Sequence, residues 1–162
     1  MPRLRVTIGT PTVEIALMNV ATLKVMKLRP DARLPRYAHP DDAGLDLCAV
    51  EAAEIPPGAT QLVLTGIALQ LPLDTEAQVR SRSGLALKHG VAVLNSPGTI
   101  DANYRGEIGV ILINHGREPF RIEPGARIAQ LVVAPIARVQ VVPVEHLDSS
   151  DRGSAGFGST GI

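Results

Sequence analysis

From Leu23 onward the chain is cut into short apolar runs, and the turns between them leave little room for any element longer than a strand. Runs at 23–28, 44–49, 60–71, 77–80, 91–94, 107–114, 120–122, 128–133 and 139–144 read as strands. Their separators are Asp41-Asp42-Ala43-Gly44, Pro56-Pro57-Gly58, Pro97-Gly98 and Pro124-Gly125. Proline and glycine at those places end a strand and reverse the chain. Only 83–88 predicts a helix, and a short one. Many brief strands at close spacing predict an all-β barrel or jelly roll rather than alternating strands and helices. The runs from Ile108 to Ile113 and from Ile128 to Val133 are apolar at consecutive positions. Such strands need cover on both faces, which a subunit interface would provide.

Composition narrows the reading. The 162 residues suit one domain with a real core, and 45% are hydrophobic. Tyr37, Tyr104, Phe120 and Phe157 are the four aromatics, so that core is aliphatic. Sixteen acidic and sixteen basic residues leave no net charge, which argues against general affinity for nucleic acid or an anionic membrane. A lone cysteine, Cys48, rules out an internal disulfide, reads as a small buried apolar residue, and fits a reducing cytoplasm. No apolar run approaches the roughly 20 residues of a membrane-spanning helix, and residues 1–22 lack the marks of a secretory signal. Three parts result: an N-terminal extension at 1–22 that reads as an extra strand or a loose arm, a β core at 23–147, and a Gly/Ser-rich tail at 148–162.

Two segments carry more chemistry than their turns require. The stretch from Asn95 to Glu107 sets a carboxylate (Asp101), a tyrosine (Tyr104) and an amide (Asn95) around Pro97-Gly98. Turn propensity explains the proline and glycine but not that collection, which suits a pocket for a flat polar group. An Asx turn closed by Asp101 is the simpler alternative. In the tail, Arg152 is able to fork around phosphate oxygens and Phe157 to stack on a base. A mobile segment with those two groups resembles a lid, although most such tails are plain disordered termini.

Five blocks then occur in order: Ala43-Gly44-Leu45-Asp46-Leu47, Arg82-Ser83-Gly84-Leu85-Ala86, Gly90 through Glu107, Gly125-Ala126-Arg127-Ile128-Ala129-Gln130-Leu131, and Arg152 through Gly161. Together they resemble the five motifs of the trimeric dUTPases, over nearly the whole chain from Leu23. The resemblance implies a jelly-roll (β-clip) subunit, a homotrimer with three sites at subunit boundaries, and Mg²⁺-assisted hydrolysis of dUTP to dUMP and pyrophosphate. That reaction limits uracil incorporation into DNA and supplies dUMP for thymidylate synthesis.

Roles carry over residue by residue. Asp101 matches the carboxylate that orients the attacking water, and Asp46 the one that reaches the metal through water. Arg82, Ser83 and Gly84 resemble the phosphate-gripping turn, with the following helix presenting its N-terminus, while Gln130 matches a phosphate-contacting amide. Asn95, Thr99, Ile100 and Gly109 fall on the wall that meets uracil and sugar. Tyr104 resembles the residue that packs on deoxyribose. Arg152, Phe157 and Gly158 belong to the lid. Each has a plainer alternative: a solvent-facing Asp46, surface charge for Arg82 and Arg152, a core tyrosine for Tyr104. His39, His89, His115 and His146 are scattered, which disfavours a zinc site. Ser81 stands where many members carry proline, a change expected to loosen the Arg-Ser-Gly turn. Asn103 also departs from the usual residue, and the arm before Leu23 has no counterpart in the family. A dCTP deaminase of similar fold, a non-catalytic trimeric nucleotide binder and a purely structural jelly roll are the rival readings.

Overall fold

The computed structural model describes residues 21–156 in full, together with the backbone of β1 (Arg3–Thr7) and β2 (Thr12–Ala16). Those two strands pair antiparallel with each other, and the other residues of 1–20 lie outside the described ones. Phe157 and Gly158 lie outside the described residues.

One sheet orders β3 (Lys24–Lys27), β6 (Thr60–Gln70), β10 (Glu107–Asn114) and β8 (Val91–Val93) as β3-β6-β10-β8. The second orders β4 (Leu45–Cys48), β12 (Arg127–Pro135), β7 (Thr75–Arg80) and β9 (Gly98–Ile100) as β4-β12-β7-β9. A small pair joins β11 (Phe120–Ile122) to β5 (Ala53–Ile55). All these pairings are antiparallel, and one short helix, α1 (Ser83–His89), connects β7 to β8. This is an all-β jelly-roll domain, one of the two architectures that the turn spacing predicts and the one that the family resemblance implies.

Side chains alternate across a strand, and β10 follows the rule. Ile108, Val110 and Leu112 are buried, while Gly109, Ile111 and Ile113 look out of the other face. The inward residues of both sheets meet in one aliphatic cluster that includes Val63, Ile67, Val110, Leu112, Leu47, Val79 and Leu131. The outward face keeps Leu62, Leu94 and Ile111 exposed at 54%, 51% and 37%. The doubly apolar β10 thus has cover on one side only.

A buried amide ties the small sheet to the large one. Asn114 is fully buried; its Nδ2 donates to the carbonyls of Ile55 and Glu118, both at 2.8 Å, and its Oδ1 accepts the Gly116 N–H at 2.8 Å. Replacing it by alanine strands those groups, at about 1–3 kcal/mol for each left without water. We expect Asn114→Ala to lower stability by roughly 3 kcal/mol, read as a reduced urea midpoint with an unchanged slope.

Three differences from the sequence expectation stand out. Strands β5 and β9 escape pattern reading because three residues carry no period; their partners β11 and β7 make them strands. The run at 139–144 is not a strand among the described residues. Val139 and Val141 are 81% and 88% exposed and pair with no strand among the described residues. An alternating sequence becomes a strand only where a sheet edge offers partners for its N–H and C=O groups.

Candidate active site

Adjacent strands bring the anion-binding groups together. In the β4–β12 register Asp46 lies opposite Gln130, and in the β12–β7 register Gln130 lies opposite Arg80. The chain leaving β7 then turns at Ser81 and Arg82 into α1. A cleft of about 260 Å³ results, lined by Ala38, Asp42, Gly44, Asp46, Arg82, Ser83, Gly84 and Gln130 among others. Gly44 permits it: a Cβ there would sit 2.5 Å from Gln130 Oε1.

Charge in this cleft is organised around Asp46, whose side chain is only 12% exposed. One of its oxygens pairs with Arg82 Nε at 3.3 Å and the other with Arg127 Nη1 at 3.1 Å. Arg82 also donates from Nη1 to the Arg127 carbonyl at 3.1 Å. A solvent-facing Asp46 is therefore not what the fold builds. Each carboxylate oxygen still has a second lone pair for a water on a metal ion. Among the described residues no three His, Cys, Asp or Glu side chains converge to hold a metal directly. Such a donor set fits a hydrated cation delivered on a polyphosphate better than a resident one.

Ser81 does not loosen its turn. Its hydroxyl accepts the Val93 N–H at 2.9 Å, and its carbonyl takes the Gln130 Nε2 donor at 2.9 Å. The departure from proline is offset by a cross-strand tie that proline cannot make. Cys48 is only partly buried; that burial nonetheless pushes its thiol above the usual range.

A second cleft, of about 210 Å³, is lined by Thr99, Ile100, Asp101, Tyr104, Glu107, Ile108 and Gly109. The β7–β9 register places Thr99 opposite Gln78 and Ile100 opposite Ala77, which sets Asp101 at the sheet end. Its turn is closed by main chain: the Tyr104 N–H donates to the Asp101 carbonyl at 3.0 Å. Arg105 Nη1 adds bonds to the Ala102 and Tyr104 carbonyls at 2.8 and 2.7 Å. The Asx-turn reading fails, since the exposed Asp101 carboxylate closes nothing and accepts no hydrogen bond from any described residue. Tyr104 is 46% exposed and donates its hydroxyl to the Glu107 carbonyl at 3.1 Å, so it is no core tyrosine.

At Gly109 this cleft is bounded by main chain. The Leu94 N–H donates to the Ile111 carbonyl at 2.9 Å, so Ile111 turns its peptide groups toward β8. Gly109 has the same parity on the strand but lies beyond the β8 pairing, which covers only Leu112, Ile113 and Asn114. Its N–H and C=O therefore point into the opening as an unpaired donor and acceptor. Asn95 is exposed and lines neither cleft; its Nδ2 packs 3.2 Å from where a Gly98 Cβ would be. In the single chain Arg152 donates to the Ala155 and Gly156 carbonyls at 2.9 and 3.1 Å and lines neither cleft.

The molecule is thus an all-β domain of two four-stranded sheets, with one cleft lined by cationic and amide side chains and a second beside the Gly109 main chain. The dUTPase family model matches residues 30–161, and the chain belongs to the dUTPase family. It is 63% identical over 140 residues to the deoxyuridine 5'-triphosphate nucleotidohydrolase of Gloeothece citriformis, covering 86% of this chain and 97% of that one. With the Clostridium tetani enzyme of the same name it shares 58% over 144 residues, covering 89% and 99%. Among solved structures, the Staphylococcus bacteriophage 80alpha dUTPase G164S mutant with dUpNHpp superposes with a TM-score of 0.81 at 31% identity, covering 87% and 99%. A dUTPase of phage phi11 of S. aureus, whose structure concerns a structural Mg(II) ion, does so with 0.72 at 27%, covering 77% and 97%.

Sequence reasoning missed Arg127 and Glu107 as site residues. Both sit inside the resembling blocks, yet only the fold shows Arg127 on Asp46 and Glu107 lining the second cleft.

Proposed function

We propose that this chain hydrolyses dUTP to dUMP and pyrophosphate, keeping uracil out of DNA and supplying dUMP for thymidylate synthesis. The uncommitted carboxylate of Asp101, held in a cleft by a turn that does not need it, carries the reading. Asp101 orients a water in line with the bond to the leaving pyrophosphate and takes its proton as the oxygen attacks the α-phosphorus. Arg82, the Ser83 hydroxyl, the Gly84 backbone and Gln130 receive the phosphates. Arg127 and Arg82 hold Asp46 beside them. Mg²⁺ bound to the triphosphate would neutralise charge there, with Asp46 meeting its water shell. Gly109 offers its donor and acceptor to uracil, while Thr99, Ile100 and Tyr104 close around the deoxyribose, leaving no room for a 2′-hydroxyl.

The two clefts share no lining residue. A homotrimer, in which the phosphate cleft of one subunit meets the nucleoside cleft of another, joins them and covers Leu62, Leu94 and Ile111. Residues 148–162, with Arg152, Phe157 and Gly158, close over the substrate as a lid. Among the described residues no helix is long and apolar enough to cross a membrane. Incubation with dUTP, dCTP, dTTP and UTP plus Mg²⁺ tests the proposal. Pyrophosphate from dUTP alone is expected; ammonia from dCTP would reassign the chain as a deaminase, and no product would make it a binder. Light scattering should give the mass of three chains, and a monomer would overturn the shared site.

A further inference from the structure

We propose that Thr65 is a positioning residue for base discrimination, acting through the Ile108–Gly109 peptide; this rests on the dUTP reading above. The β10–β6 register jumps from Glu107 opposite Ala68 to Gly109 opposite Leu64, so Thr65, Gly66 and Ile67 together face Ile108 alone. A bulge of that kind breaks the ladder and needs other partners for its peptide groups. Side chains supply them. Thr65, 1% exposed, donates its hydroxyl to the Ile108 carbonyl at 2.6 Å. The Glu107 carboxylate accepts the Gly66 N–H at 2.8 Å. Gly66 has φ +71°, and a Cβ there would lie 2.8 Å from Ala32 Cβ and 2.9 Å from Val50 Cγ2, so the bulge cannot slide.

The consequence follows from peptide geometry. In a trans peptide the C=O and the next N–H lie in one plane and point opposite ways. Holding the Ile108 carbonyl toward β6 therefore aims the Gly109 N–H into the nucleoside cleft. Uracil presents a carbonyl oxygen to such a donor, whereas cytosine presents an amino group at the corresponding ring position. With the plane free to tilt, uracil loses that bond while cytosine, which never made it, loses nothing, and the gap between them shrinks.

Thr65→Val keeps the shape and removes the donor. Its KM for dUTP should rise about tenfold with kcat within about threefold, and its kcat/KM preference for dUTP over dCTP should fall about tenfold. Thr65→Ser should restore both. A folded Thr65→Val with unchanged KM and preference overturns the inference, as does a serine variant as impaired as the valine one. A packing role alone would lower the urea midpoint and leave the preference intact. Should Thr65→Val not fold, dUMP titrated into the ¹⁵N-labelled unsubstituted protein decides. The Gly109 amide must shift more than those of Val110 and Ile111, and an unmoved Gly109 overturns the inference. Failure of the unsubstituted protein to hydrolyse dUTP would instead remove the proposed function itself.

Discussion

Asp101→Asn should bind a non-hydrolysable imido analogue of dUTP about as tightly as the unsubstituted protein, and turn dUTP over about 10²–10⁴-fold more slowly. Asparagine has the shape of aspartate. The turn beneath it is closed by the Asp101 carbonyl and the Tyr104 N–H, which the substitution leaves in place. Nothing else in the cleft needs the carboxylate, so the folded structure and the fit of the nucleoside should survive. What is lost, in the proposed mechanism, is the base that takes the proton of the attacking water. Calorimetry with the analogue and steady-state release of pyrophosphate separate the two effects. A kcat within a factor of about three of the parent would take Asp101 out of the mechanism, because general-base catalysis is worth far more than that.

Ending the chain at Leu147 should leave the β core folded and nearly inactive. Residues 135–156 are exposed throughout, and the bonds within the tail are local, such as Gly153 N–H to the Ser150 carbonyl at 3.0 Å. Within it, residues 148–156 are exposed and take no buried contact from the core when removed. As the proposed lid, the tail would contribute a stacked Phe157, about 1–3 kcal/mol, and the charge-assisted bonds of Arg152, about 1.5–3 kcal/mol. Their joint loss should lower kcat/KM by about 10²–10⁴-fold. Circular dichroism and light scattering should match the full chain while hydrolysis collapses. Full activity in the shortened protein would mean that the tail is a plain terminus.

Much of the site was legible because chemistry-bearing residues sat in blocks with their turns. Arg82, Ser83, Gly84, Asp46 and Gln130 do converge on one cleft, and Thr99, Ile100, Asp101, Tyr104 and Gly109 on another. Asn95 shares a block with the second group yet lines neither cleft, because its side chain packs on Gly98. The family resemblance marks Asp46 as a carboxylate that reaches a metal through water. Its bond to Arg127, 81 residues away, was invisible until β4 and β12 paired.

What the linear chain settled alone was local. Proline and glycine placement set the turns, aliphatic alternation set the strands, and the run at 83–88 set the helix, since each depends on neighbours within a few residues. Tertiary structure decided the rest. Strand β9 exists only because β7 offers an edge, and it is this pairing that puts Asp101 at a sheet end. Gly109 faces an opening only because β8 stops short. The valines at 139–144 stay unpaired because no edge among the described residues receives them. Hydrogen-bond partners and burial come from segments tens of residues apart, so a reading limited to neighbours could place the groups but not aim them.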